Sequence, residues 1–204
     1  MGGKLDIQES SKIRKNLKLL DLDYREYREV WALQKKMVKN RYQSLIPDTL
    51  ILVEHYPVYT FGKNSNDNHL LGSRDNNVPV YHTERGGDVT FHGPGQLVGY
   101  PILDLHNHNK SITWYMRSLE AVIINTLKLY KINGQSRRGL TGVWVGDQKI
   151  AALGVRLSRW VSMHGFALNV NTDLKFYEGI IPCGIFEYDV TSMAEILGLS
   201  LIHI

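Results

Sequence analysis

The chain has 204 residues, of which 43% are hydrophobic and 22% charged, with 6 prolines and 18 glycines; this suits one compact domain and excludes collagen-like, low-complexity and largely disordered chains. A single cysteine, Cys183, excludes an intramolecular disulfide and a cysteine-based zinc site. The formal charge of +4 lies wholly in residues 1–43, which carry 11 Lys/Arg against 6 Asp/Glu, whereas the remainder carries 13 against 14 and offers no basic groove for nucleic acid.

The apolar runs fall far short of the ~20 residues a bilayer crossing needs, and no hydrophobic signal segment opens the sequence. A soluble, cytoplasmic protein without membrane insertion is expected, or a mitochondrial or plastid one if the source is eukaryotic. Asp6 and Glu9 run against the acid-poor composition of a transit peptide. Residues 1–20 lack periodicity and read as a flexible basic lead to a single domain over 21–204. From Asp23, the residues Tyr24, Tyr27, Trp31, Val38 and Tyr42 lie near one helical stripe. The charged face of that helix is either plain solvated surface or a docking face for an acidic protein.

LILVEHYPVYTFG (residues 50–62) is β-prone and predicts a strand that bends at Pro57. A polar loop over residues 63–77 follows, then short strands near Val78–His82, Asp88–Phe91 and Leu97–Ile102. Residues 112–131 carry an apolar stripe behind a Ser111 cap and predict a second helix. Gly146 and Asp147 separate two β-prone runs, Val143–Val145 and Lys149–Leu157, as the turn of a hairpin. A strand over His164–Val170 comes next. Ser192 and Glu195 then make a capping box for a last helix, which the chain end at Ile204 keeps short. No repeated βα unit is visible, so the order of elements predicts an α+β domain rather than a doubly wound one.

The densest anomaly is ERGGDVTFHGPGQLVGYP, with Gly86, Gly87, Gly93, Gly95 and Gly99 among short strands. Both a loop that lets a ligand approach the backbone and a series of tight turns fit it. It matches neither GxxxxGK[ST] nor GxGxxG. Arg85 and His92 are candidates for pairing with an acidic group and an acyl oxygen, or else an ordinary surface charge and a bonded loop histidine. Cys183, in IIPCGIFEYDV, is either a small buried residue or a thiol presented by the Pro–Cys–Gly interruption. A reactive thiol needs a nearby cation, and Lys149 at the head of a β-prone run can supply one, although lysines beside turns usually face solvent. His164 is a candidate base or a satisfied core histidine. The HNH triplet His106–His108 reads as solvated loop histidines rather than a metal site.

Together RGGDVTFHGPGQLVGYPI, GLTGVWVGDQKIAALGVRLSRWVSMHGFALNVNTDL and IIPCGI resemble the octanoyltransferase family of lipoate biosynthesis, also called lipoyl(octanoyl) transferase or lipoate–protein ligase B. The resemblance covers most of residues 20–198. It implies a mixed β-sheet α+β fold shared with the catalytic domains of biotin protein ligases and lipoate ligases, and no cofactor or metal. It also implies transfer of an octanoyl group from octanoyl-acyl carrier protein, through a cysteine thioester, to a lysine. The acceptors implied are lipoyl domains of 2-oxoacid dehydrogenase acyltransferase subunits and glycine-cleavage H protein. Carried over by motif, Cys183 is the acyl-accepting nucleophile and Lys149 lowers its pKa. The substrate-contacting residues are Arg85, Gly86, Gly87, Asp88, Val89, Thr90, Phe91 and His92; Ala152, Leu153 and Gly154; and Gly165, Phe166 and Ala167. His164 is a candidate participant in the second step. Two features depart from the family pattern: Phe91 stands where a tyrosine is common, and little chain follows Gly198.

Overall fold

In chain order, the elements are β1 (Lys18–Arg25), α1 (Tyr27–Tyr42), β2 (Thr49–His55), β3 (Val58–Phe61), β4 (Val80–His82), β5 (Thr90–His92), β6 (Gln96–Ile102), α2 (Ile112–Leu129), β7 (Gln135–Arg137), β8 (Leu140–Val145), β9 (Gln148–Ser158), β10 (Val161–Asn169) and α3 (Met193–Leu197). This computed structural model describes residues 16–181 and 189–199. Residues 1–15 of the expected 1–20 lead, Cys183, and the last residues of the chain lie outside the described residues, whereas Lys18–Leu20 of that lead are not a loose segment but part of strand β1, held by pairing with β2.

Seven strands form the main sheet in the order β1-β2-β6-β10-β9-β8-β7, and a small sheet has the order β4-β3-β5. The central strands β6 and β10 are buried along almost their whole length. Side chains that alternate along β10 build two cores on opposite faces. Ala167 joins Val30 of α1 with Ile51, Val53, Val98 and Ile102, while Leu168 joins Ile123 and Leu127 of α2 with Val143 and Ala151. The two long helices therefore cover opposite faces of one sheet. A third cluster, with Tyr59, Phe61, Phe91 and Tyr177, lies under the small sheet.

The hairpin forms as expected: Gly146 adopts φ +56 in a two-residue turn, and Val145 pairs with Gln148. The Ser111 hydroxyl accepts from the Trp114 N–H and the Ser192 hydroxyl from the Glu195 N–H, so both expected caps are present. The Glu195 carboxylate, however, accepts from the Thr191 hydroxyl rather than closing the box. Two expectations need correction. Lys18–Arg25 is a strand paired in parallel with β2, so the first helix starts only at Tyr27 and buries Tyr27, Val30, Gln34 and Arg41, leaving Tyr24 and Tyr42 exposed. Pro57 does not bend one strand but separates β2 and β3, which belong to different sheets. The HNH residues 106–108 are exposed, as expected of solvated loop histidines, and His108 also pairs: its Nε2 lies 2.6 Å from Asp48 Oδ2, while Arg41 holds the other Asp48 oxygen at 2.7 Å. Burial raises the Asp48 pKa, but hydrogen bonds from the Asp104 backbone, His108 and Arg41 outweigh it and hold the carboxyl below its ordinary value.

Candidate active site

A cleft of about 600 Å³ opens where the loop before β5 faces β9 and β10, with the first turns of α2 and residues Gly139–Thr141 at its rim. Its floor is made of small residues in register: Ala152 pairs with Ala167, and Gly154 with Gly165. Paired residues of an antiparallel ladder share a face, so the two pairs form a low channel. The loop closes down on it, with the Gly86 N–H donating to the Val155 carbonyl at 2.9 Å. A Cβ at Gly154 would lie 2.8 Å from the Gly86 carbonyl oxygen, which is why that position has to be glycine.

Arg85 shapes this loop. Its Nε and Nη2 donate to Thr60 and its Nη1 to the Gly86 carbonyl, so the buried guanidinium is engaged in holding the loop. Thr60 in turn links to His92 Nε2 at 3.5 Å, and His92 Nδ1 meets Gln96 Oε1 at 2.8 Å. A carbonyl oxygen cannot donate, so His92 carries its proton on Nδ1. Gln96 Nε2 then reaches Asn169 Oδ1 and the Tyr177 hydroxyl, both groups of cleft-lining residues. Burial lowers the His92 pKa to about 3, and that of His55, bonded to the Arg25 carbonyl and the Tyr100 hydroxyl, to about 4. Asp88 accepts from the Val89 N–H and lies 2.5 Å from His69 Nδ1.

Lys149 lies in the cleft lining and is buried rather than solvated, with 7% of its surface exposed. Its Nζ lies 4.8 Å from the Trp144 ring centroid, in cation–π range. A Cβ at Gly142 would meet its Cε at 3.3 Å, so the glycine makes room for the lysine stem. Its N–H donates to the Asp189 carbonyl and its carbonyl accepts from the Thr191 N–H. The described residues on either side of the Cys183 segment are thus anchored, Ile181 to the His69 carbonyl and Asp189 to Lys149.

A model of the lipoyl protein ligase A/B catalytic domain matches residues 26–203. Octanoyltransferase from Synechococcus elongatus is 50% identical over 172 residues, 83% of this chain and 74% of that protein. Octanoyltransferase from Flavobacterium psychrophilum is 43% identical over 211 residues, 94% of this chain and 91% of that protein. This chain belongs to the octanoyltransferase family. Solved structures carry the fold alone at low identity: lipoate-protein ligase A bound with ATP has a TM-score of 0.71 at 15% identity, over 90% of this chain and 78% of that one. P. falciparum LipL1 in complex with lipoate gives 0.70 at 18%, over 89% of this chain and 56% of that one. The expected α+β fold of lipoate and biotin ligase catalytic domains is the one observed.

Within this octanoyltransferase-family fold, Arg85–Thr90, His92, Lys149, Ala152–Gly154 and His164–Ala167 line one cleft, although they come from two separate blocks of sequence. Phe91 does not line it. Strand alternation in β5 turns its ring away, where it stacks on Phe176 with centroids 4.5 Å apart. The sequence reading missed Tyr27, Tyr100, Asn169, Tyr177 and Val190 in the lining. The GYP and LNVN stretches placed Tyr100 and Asn169 inside recognised blocks; Tyr27 and Tyr177 carry no local signal. Lys149 and His164 lie far apart along the floor: His164 pairs with Val155, six residues and about 20 Å of strand from Lys149.

Proposed function

We propose that this chain transfers an octanoyl group from octanoyl-acyl carrier protein to the lysine of a lipoyl domain or of glycine-cleavage H protein, with Cys183 as the transient acyl acceptor. The observation that carries this reading is a channel floored by Ala152, Gly154, Gly165 and Ala167 and leading to a buried lysine, in a member of the octanoyltransferase family. The small floor leaves room for an alkyl chain. In this reading the Lys149 ammonium favours the Cys183 thiolate, a role supported by its burial in the cleft lining and by the bonds that tie Asp189 and Thr191 to its backbone.

In the first step the Cys183 thiolate attacks the thioester carbonyl; a C–S bond to the enzyme forms, the C–S bond to the carrier breaks, and the carrier departs as a thiolate that takes a proton from solvent. In the second, the neutral acceptor amine attacks the enzyme thioester, a C–N bond forms, Cys183 departs as thiolate, and the amine's surplus proton is lost to solvent. The buried Arg85 contributes by holding the loop through Thr60 and the Gly86 carbonyl. The separation between His164 and Lys149 favours a place for His164 at the acyl tail over the second-step role expected from sequence.

Incubation with octanoyl-acyl carrier protein, without ATP, is expected to raise the intact mass of the wild-type chain by one octanoyl group and to leave Cys183→Ala unchanged. Added acceptor domain then takes the group. Strict ATP dependence, or an equal site-specific adduct on Cys183→Ala, overturns the proposal.

A further inference from the structure

We propose that Glu120, a buried carboxylate on α2, is a positioning residue for the transfer reaction: by holding the Gly142 backbone it keeps β8 apart from β9 and so shapes the cleft beside Lys149. The proposal rests on the transferase reading, in which the Lys149 ammonium favours the Cys183 thiolate.

Glu120 is the charged exception on the covered face of α2, where the other buried residues are Tyr115, Leu119, Ile123 and Leu127. It is 2% exposed, and a glutamate is almost never so buried unless partners hold it. Both oxygens are engaged: Oε2 accepts from Arg117 Nη1 at 2.6 Å, and Oε1 accepts from the Gly142 N–H at 3.2 Å. The Arg117 bond is local, between residues three apart on the helix. The Gly142 bond joins α2 to β8 across 22 residues of sequence.

That bond falls where the ladder between β8 and β9 ends. Val145 pairs with Gln148, Trp144 with Lys149 and Val143 with Ala151, and among the described residues no pair continues past Val143. Gly142 has φ +131, a conformation open to glycine, and Gly139, Leu140 and Thr141 before it line the cleft together with Ala152, Leu153 and Gly154 of β9. The cleft thus opens where the two strands part. Gly142 also bounds the lysine: a Cβ there would lie 2.8 Å from the Ala151 carbonyl oxygen and 3.3 Å from Lys149 Cε. Any shift of Gly142 toward β9 therefore meets the Lys149 stem. The helix is a firm support for this tether, because its Ile123 and Leu127 share one core with Val143 and Ala151.

Three substitutions separate the reach of the side chain from its charge. Glu120→Gln keeps an acceptor oxygen at the same reach, Glu120→Asp keeps the carboxylate but withdraws it by one methylene, and Glu120→Leu removes the acceptor. Single-turnover acylation by octanoyl-acyl carrier protein is expected to stay within about threefold of wild type in Glu120→Gln and to slow by about tenfold or more in the other two, the scale of a small misplacement near reacting groups. In the slowed variants the alkylation profile of Cys183 moves to higher pH, a shift that lost stability alone does not produce. Unchanged rates and profiles in folded Glu120→Asp and Glu120→Leu, or a glutamine variant as slow as the aspartate one, overturn the positioning role. The wild-type chain supplies a check that needs no variant: its Gly142 amide is expected to exchange with deuterium as slowly as the ladder amides of β8, and exchange at the rate of an open loop overturns the proposal. Absence of any octanoyl adduct on the wild-type chain sinks the transferase reading itself, whereas an adduct formed equally fast by Glu120→Leu sinks only the tether.

Discussion

Lys149 owes its place to three residues: Trp144, which receives its ammonium, and Gly142, which leaves space for its stem, both on the facing strand of the hairpin, and the distant Asp189, whose carbonyl holds its backbone. If the ammonium activates the thiol, Lys149→Met returns the Cys183 pKa toward the ordinary ~8.5 and slows acylation by about a hundredfold at neutral pH. Alkylation rate against pH measures this directly, and an unshifted profile removes the proposed role. Gly154 carries a second expectation, because alanine there drives a methyl group into the Gly86 carbonyl and the Arg85 side chain. The loop must lift, at a cost of about 1–3 kcal/mol, and acylation should fall with it; a urea midpoint within error of wild type would show that the loop does not close on this floor. The glycine block and Lys149 were legible as residue types at the right places in a family pattern. Burial of Lys149 was not, since no local property of GDQKI says that a glycine and an indole lie across the ladder.

At the scale of elements, strands bounded by clear turns were readable, and those without a turn or an apolar face were not. β1 reads KLLDLDYR and exposes most of its residues, so its edge position depends on pairing with β2 rather than on any hydrophobic pattern. β7 is three residues long, of which two are exposed. Pro57 signalled an interruption correctly, but assignment of its two sides to different sheets follows from long-range pairing. What joins those sheets at the cleft is polar: Gln96 on β6 reaches His92 and the Phe91 carbonyl on β5, Asn169 on β10, and Tyr177 in the turn before Ile181. Replacing a fully buried amide with so many partners strands several of them at once. Gln96→Leu is therefore expected to cost about 2–4 kcal/mol in urea unfolding, well above an ordinary polar-to-apolar change, and to reduce acylation because Asn169 and Tyr177 line the cleft. A loss below 1 kcal/mol would mean that the two sheets hold together without this junction.

Over the whole molecule, β2, β5 and β10 each contribute one buried histidine, and burial depresses all three: His55 to about 4, His92 to about 3 and His164 to about 4. In the unfolded chain each titrates near 6.5. Between that value and about 4 the unfolded chain binds protons that the folded chain refuses, so the stabilisation from keeping them neutral is complete above about 6.5 and declines as pH falls. Each histidine contributes at most about 1.4 kcal/mol per pH unit across its window. The carboxyls act in a lower range, because Asp48 and Glu84 are both held below their ordinary pKa and lose their contribution only in stronger acid. Urea unfolding at pH 7.5, 6 and 5 should therefore show a loss of stability that steepens below pH 6, well before carboxylates protonate. His55→Gln, which removes one of the three titrations, is expected to make that limb shallower whatever its effect at neutral pH. Constant stability from pH 7.5 to 5 would require these rings to accept protons inside the folded core, which their burial opposes.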